Sequence, residues 1–147
     1  MSTALSLERV LQEDCNIYRL KVGDYEHIEL PALQKLSATN HYLNLSGLKT
    51  LSKEQLEILG SHKGILDLSG LVDIPDDAIR ALAGRAGGLW LNGLSKLSSI
   101  AVDALAEHKG DLYLWGLKEI TPAANKKLTR TNVFLNSQVK VKEPGAV

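Results

Sequence analysis

The residues with the widest chemical reach in this chain are four histidines, one cysteine and a small group of aspartates. His62 and His108 each open the tripeptide HKG and occupy the same position of a 23-residue period, two periods apart. At a strand spacing of about 4.8 Å they would stand about 9.6 Å from each other. Zinc holds its ligands at about 2.1 Å, so one ion cannot take both. Their expected place is the carbonyl end of a helix, as polar turn residues, where a basic side chain is favourable. His27 and His41 fall in expected loops, with no carboxylate or thiol at ligand spacing. Cys15 lies near the end of an expected first helix, and no base can be placed beside it, so it reads as semi-buried or idle. Asp73, Asp76 and Asp77 surround Pro75 without the pattern of a calcium loop. A glycine-rich phosphate loop is absent, since RAGG reads as a helix stop. These residues predict no catalytic group, no metal and no cofactor.

Non-covalent recognition is better provided for. The chain has seven aromatic residues, two Trp, four Tyr and one Phe. Five of them, Tyr42, Trp90, Tyr113, Trp115 and Phe134, fall at alternating positions between leucines. Trp90, Tyr113, Trp115 and Phe134 form the candidate hot spot, with Asn44, Asp67, Ser69 and Asn92 as adjoining polar contacts. Trp and Tyr are enriched at the centres of binding surfaces, and a large exposed apolar patch usually marks an interface.

The elements that must position these side chains are four near-copies of one hexapeptide. LNLSGL starts at Leu43, LDLSGL at Leu66, LWLNGL at Leu89 and LYLWGL at Leu112, each 23 residues after the last. A fixed period of this size is the mark of a repeat architecture. Six apolar columns follow it, as in Leu43, Leu45, Leu48, Leu51, Leu56 and Leu59, and only Asn125 breaks them. The first part of each repeat alternates apolar and other residues, which is strand periodicity. The second part is helical. Ser52 with Gln55 forms a capping box, Ser98 is a cap, and Thr121 precedes Pro122 at the first helical position. Pro75 before Asp76 and Asp77 places negative charge at a helix N-terminus. Gly64, Gly87 or Gly88, and Gly110 are candidates for a left-handed C′ position.

One strand and one helix per 23 residues leave no room for hairpins, so successive strands are expected to be parallel with right-handed crossovers. The expected fold is α/β, a right-handed solenoid with the parallel sheet on the concave face and the helices on the convex face. Residues 1–147 form a single repeat domain. Within it, 1–16 is a helical cap (helix over 4–14, Ser6 capping), 17–132 holds five repeats, and 133–147 is a capping strand and tail. Between the inward leucines three columns face outward. They are Lys21, Asn44, Asp67, Trp90, Tyr113, Asn136; Gly23, Ser46, Ser69, Asn92, Trp115; and Arg19, Tyr42, Ile65, Gly88, Asp111, Phe134. The face assignment survives a last coil two residues shorter, because side chains alternate with period two.

Over about residues 17 to 141 this pattern resembles the leucine-rich repeat family, whose marks are an LxL strand, a further leucine three residues on and a period of about 20–29 residues. Two departures stand out. Asn40, Lys63 and Lys109 replace a leucine expected three residues before Leu43, Leu66 and Leu112. Leu48, Leu71, Leu94 and Leu117 stand where the family ladders asparagines after the strand. The glycines before them, from Gly47 to Gly116, imply either positive φ or close approach between coils.

Lysine plus arginine equals aspartate plus glutamate, at 17 each, so no long-range field calls for nucleic acid or an anionic membrane. The first residues lack a signal-peptide pattern, no apolar run nears the about 18 residues of a membrane span, and one cysteine fits a reducing compartment. The expectation is a non-enzymatic, cytoplasmic scaffold that binds a protein partner through the concave sheet. A homodimer through the same aromatic patch is a second use of it. A carbohydrate-binding module is the alternative from another class, and cross-strand packing under the C-terminal tail is the purely structural one.

Overall fold

In a computed structural model, residues 4–5, 27–40, 42–85, 87–129 and 132–142 are described. In chain order the elements are β1 (Ala4–Leu5), β2 (His27–Ile28), α1 (Leu30–Ser37), β3 (Leu43–Asn44), α2 (Lys53–Leu59), β4 (Leu66–Asp67), α3 (Asp76–Ala83), β5 (Leu89–Trp90), α4 (Ser99–Ala106), β6 (Leu112–Leu114), β7 (Glu119–Ile120), α5 (Pro122–Leu128), β8 (Val133–Leu135) and β9 (Lys140–Val141). The expected Arg19, Lys21 and Gly23, with Cys15 and His41, lie outside the described residues.

The chain is α/β, and its described residues form five helices and a five-stranded parallel sheet in the order β3-β4-β5-β6-β8. Leu43 pairs with Leu66, Leu66 with Leu89 and Leu89 with Leu112, the 23-residue step of the sequence. Each helix packs against the next, from α1 to α5. The leucine columns are the core. Leu43, Leu45, Leu48, Leu56 and Leu59 are buried, as are their counterparts one, two and three periods later, save for half-buried Asn125. Burying each leucine side chain contributes about 2 kcal/mol.

Four expectations need correction. Ala4–Leu5 is a strand rather than the start of a helix, and Leu5 pairs with Ile28 one period on. Pairing to the next coil overrides the local helical pattern there, and the rest of the expected helix lies outside the described residues. Second, the last coil is two residues shorter. Tyr113 pairs with Phe134 and Leu114 with Leu135, so Phe134 continues the Trp90–Tyr113 column and Asn136 moves to the Trp115 column. Third, residues 133–141 are two strands, not one. Asn136 closes a turn between them by accepting from Gln138 N at 2.9 Å, and β9 pairs with β7. Fourth, the helices end before the expected glycines. Their last residues are Leu59, Ala83 and Ala106, and the caps Gly60, Gly84 and Glu107 are all right-handed. Gly87 is needed for space instead, since a Cβ there would lie 2.4 Å from Gly64 O.

The helix starts follow the expected chemistry. Ser52 Oγ accepts from Gln55 N while the Gln55 side chain accepts from Ser52 N, the reciprocal box. Ser98 and Thr121 accept from Ala101 N and Ala124 N. Helix α3 has Pro75 at its cap and Asp76 and Asp77 in its first turn.

A buried polar column ties the loops between helix and strand. His62 and His108 lie just after the helix ends, where their backbone N–H groups donate to Leu59 O and Leu105 O, and they are 1% and 0% exposed. His62 Nδ1 lies 3.3 Å from Ser37 O and His108 Nδ1 lies 3.0 Å from Ala83 O, each in the preceding coil. A carbonyl only accepts, so each ring carries a proton on Nδ1. Arg85 takes the same position in the coil between them. It donates to His62 O, Gly87 O, Gly88 O and Gly64 O. Burial lowers its pKa to about 10. The 23-residue spacing of positions 62, 85 and 108 is the signal that links Arg85 to the histidines.

Candidate functional site

Strands β3 to β6 and β8 turn their leucines inward, and the residues between them make one open face. Alternation forces this, because successive side chains on a strand leave opposite sides of the sheet. The structure brings the expected aromatic residues together there. Tyr42 and Trp90 have ring centroids 5.7 Å apart, and Trp90 and Tyr113 are 5.1 Å apart, tilted at 55°. Tyr113 stacks on Phe134 at 4.5 Å and 15°, and meets Trp115 edge-on at 6.0 Å and 72°. All are within the range of favourable aromatic pairs. The five rings form a continuous ladder across the sheet. Its two most open members are Trp115, 56% exposed, and Phe134, 36% exposed. Trp90, Tyr113 and Tyr42 are half-buried by their neighbours.

The polar candidates have a different place. Asn44 Oδ1 accepts from Ser46 N at 2.9 Å and from the Ser46 hydroxyl at 2.6 Å. Asp67 Oδ1 accepts from Ser69 N at 3.0 Å, and Asp67 Oδ2 accepts from the Tyr42 hydroxyl at 3.3 Å. Asp67 is buried. Ser69 Oγ accepts from Asn92 N at 3.3 Å, and Asn92 Oδ1 accepts from Trp115 N at 2.9 Å. These side chains close the turn after each strand, the task that the absent asparagine ladder leaves open. Sequence patterns show them as outward residues but not that the backbone engages them.

The glycines at the turn settle between the two expected causes. No positive φ is found at Gly70, Gly93 or Gly116, and a Cβ at any of them would lie within 2.4 Å of a carbonyl oxygen in the previous coil. Close stacking of coils, not left-handed backbone, requires glycine. At Gly88, on the open face, an added Cβ would meet only Ile65 at 3.4 Å, with ordinary contact beyond it.

A separate cleft of about 550 Å³ lies between α4, α5 and β7, on an apolar floor that includes Leu97, Val102, Leu117 and Ile120. Lys127 pairs with Asp103 and Lys142 with Glu119 at its edge. Lys142 lowers the Glu119 pKa below its usual value. Thr121, one of its polar residues, accepts from Ala124 N as the α5 cap. Among the described residues no group of three or more histidine, cysteine, aspartate or glutamate side chains could hold a metal ion, and no helix is long and apolar enough to cross a membrane.

Compared with protein-family models, curated proteins and solved structures, the chain matches none.

Proposed function

We propose that this chain is a leucine-rich-repeat-like, right-handed solenoid that acts without catalysis, by binding a protein partner on its concave sheet. The observation that carries this reading is the ladder of five rings, in which Trp115 meets the Tyr113 ring edge-on and is still 56% exposed. A ring needed only for packing would be expected to lie under its neighbours, as Trp90 does. Large aromatic anchors set among backbone-engaged polar residues suit a protein interface, where a few side chains carry most of the binding energy. One cysteine in 147 residues supports a reducing, cytoplasmic setting.

The carbohydrate reading has less support. Sugar hydroxyls need hydrogen-bonding side chains beside an aromatic platform, and the side-chain oxygens of Asn44, Asp67 and Asn92 already accept from backbone N–H groups, with Asp67 accepting from Tyr42 as well. Association of two copies through the same rings is the competing protein–protein reading.

Trp115→Ala is the decisive variant, because an exposed side chain can be removed without opening the core. Affinity capture from native lysate should recover a partner with the wild type and lose it with Trp115→Ala, at unchanged circular dichroism. Sedimentation would show a Trp115-dependent dimer if the second copy is the partner. Capture and mass that are both indifferent to Trp115 would overturn the proposal.

A further inference from the structure

We propose that the outer edge of β8 takes an extended, acidic segment of another protein, which adds to the five-stranded sheet as a sixth strand. This site is separate from the aromatic face and does not depend on its role.

The earlier coils show what this edge lacks. Leu89 N donates to Asp111 O at 2.8 Å and Leu91 N to Tyr113 O at 2.9 Å, and β3 and β4 repeat the pattern toward the coil that follows each. Val133 and Leu135 hold the same two positions in β8, since they pair with Leu112 and Leu114. Yet β8 is the last strand of the sheet, and among the described residues neither N–H has an acceptor. The side chains are left open as well. Leu112 and Leu114 are fully buried, whereas Val133 and Leu135 in the same columns are only half-buried. A strand laid along β8 would take up the free donors and cover the end of the core. Strand addition of this kind draws affinity from main-chain hydrogen bonds and specificity from alternate side chains.

Charge selects the occupant. From α5 onward, residues 122–147 contain five basic side chains, Lys126, Lys127, Arg130, Lys140 and Lys142, and one acidic, Glu143, in a chain that is balanced overall. Lys127 is tied to Asp103 and Lys142 to Glu119. Lys126 and Lys140 are exposed and have no salt bridge among the described residues. Glu119 is already shared: Lys142 holds its carboxyl below the usual range, and Lys96 and Lys140 add to the effect. A second copy meeting edge to edge would set two such surpluses against each other, and lysine is a common guard of strand edges against self-pairing. An acidic segment converts the same repulsion into attraction. The expected occupant is β-forming, with apolar residues over Val133 and Leu135 and Asp or Glu at its ends.

The test is selection of a random dodecapeptide library on the full chain, with Val133→Pro as counter-selection. The Val133 N–H points away from β6, so proline there removes an edge donor and leaves the ladder to β6 whole. Enriched peptides should be rich in β-formers and acidic. In the free protein the N–H groups of Val133 and Leu135 should exchange faster than those of Leu112 and Leu114, and an enriched peptide should slow them at least about tenfold. The double variant Lys126→Glu, Lys140→Glu keeps the edge and should weaken those peptides about tenfold, which carries the test even if the proline variant fails to fold. Enriched peptides that are neutral or basic, or that leave both amides unprotected, would overturn the inference. So would self-association that protects these amides, because the occupant would then be a second copy. Trp115→Ala leaves this site intact, so edge peptides should bind it as well as they bind wild type, and the concave-face proposal stands or falls separately.

Discussion

The backbone N–H of Trp115 donates to Asn92 Oδ1, 2.9 Å away on the preceding coil. This bond explains how the chain can carry aromatics on its strands. In the coils of Asn44 and Asp67, the strand residue itself caps the N–H two residues on. Trp90 and Tyr113 replace that capping residue; the indole has no acceptor, and the phenol carries its oxygen at the far end of the ring, away from its own turn. The previous coil then supplies the acceptor, Ser69 for Asn92 N and Asn92 for Trp115 N. An aromatic strand position thus makes its turn depend on the neighbouring coil.

Asn92→Ala should therefore destabilise the fold by about 1 kcal/mol, the net worth of one intramolecular hydrogen bond at an exposed turn. Asn92→Asp keeps a side-chain oxygen in place and should lose less than half as much. Urea unfolding of both variants checks this, and equal midpoints for Asn92→Ala and wild type would refute it.

Two glycines on neighbouring coils should respond oppositely to alanine. At Gly116 the new Cβ would lie 1.9 Å from Asn92 O, so the coils must separate, at a cost of about 3 kcal/mol. At Gly88 the nearest atom is a branch of Ile65 at 3.4 Å, and the change should stay within about 1 kcal/mol. Thermal melts of Gly116→Ala and Gly88→Ala separate the two outcomes.

Arg85→Met should cost about 3 kcal/mol, because the carbonyls of His62, Gly64, Gly87 and Gly88 lose one shared donor inside the fold. Arg85→Lys should recover only part of it, since an ammonium cannot fork across several carbonyls as guanidinium does. Chemical unfolding of both variants is the measurement. A methionine variant as stable as wild type would show that the carbonyls find other partners.

The Tyr42 phenol should titrate above the ordinary tyrosine value of about 10. Burial is the larger cause, and the charge and hydrogen bond of Asp67 add to it. A raised folded pKa means that the unfolded chain gives up this proton first. The stability tied to Tyr42 is then fully present below about pH 10 and is lost as pH rises through the folded value. The difference in phenolate absorbance between wild type and Tyr42→Phe reads the pKa directly. Asp67→Asn should lower it part of the way and leave the burial contribution.

The 23-residue step alone determined the parallel register of β3 to β6, the buried leucines and the outward placement of Trp90, Tyr113 and Trp115. Period-two alternation on strands and the volume of leucine leave little freedom there. The helix starts were equally legible, because Ser52, Ser98 and Thr121 cap through contacts three residues away. Features that depend on another coil were not. The shortened last coil moved Phe134 beside Tyr113, and only the pairing of β6 with β8 shows it. His62 and His108 read from sequence as polar turn residues, and only the neighbouring carbonyls of Ser37 and Ala83 show that their rings are buried and engaged. Asn44, Asp67 and Asn92 look like free contact residues until the turns they close are formed. A sequence shows which way a side chain leaves its strand; the stacked backbone decides which polar groups are near enough to engage it.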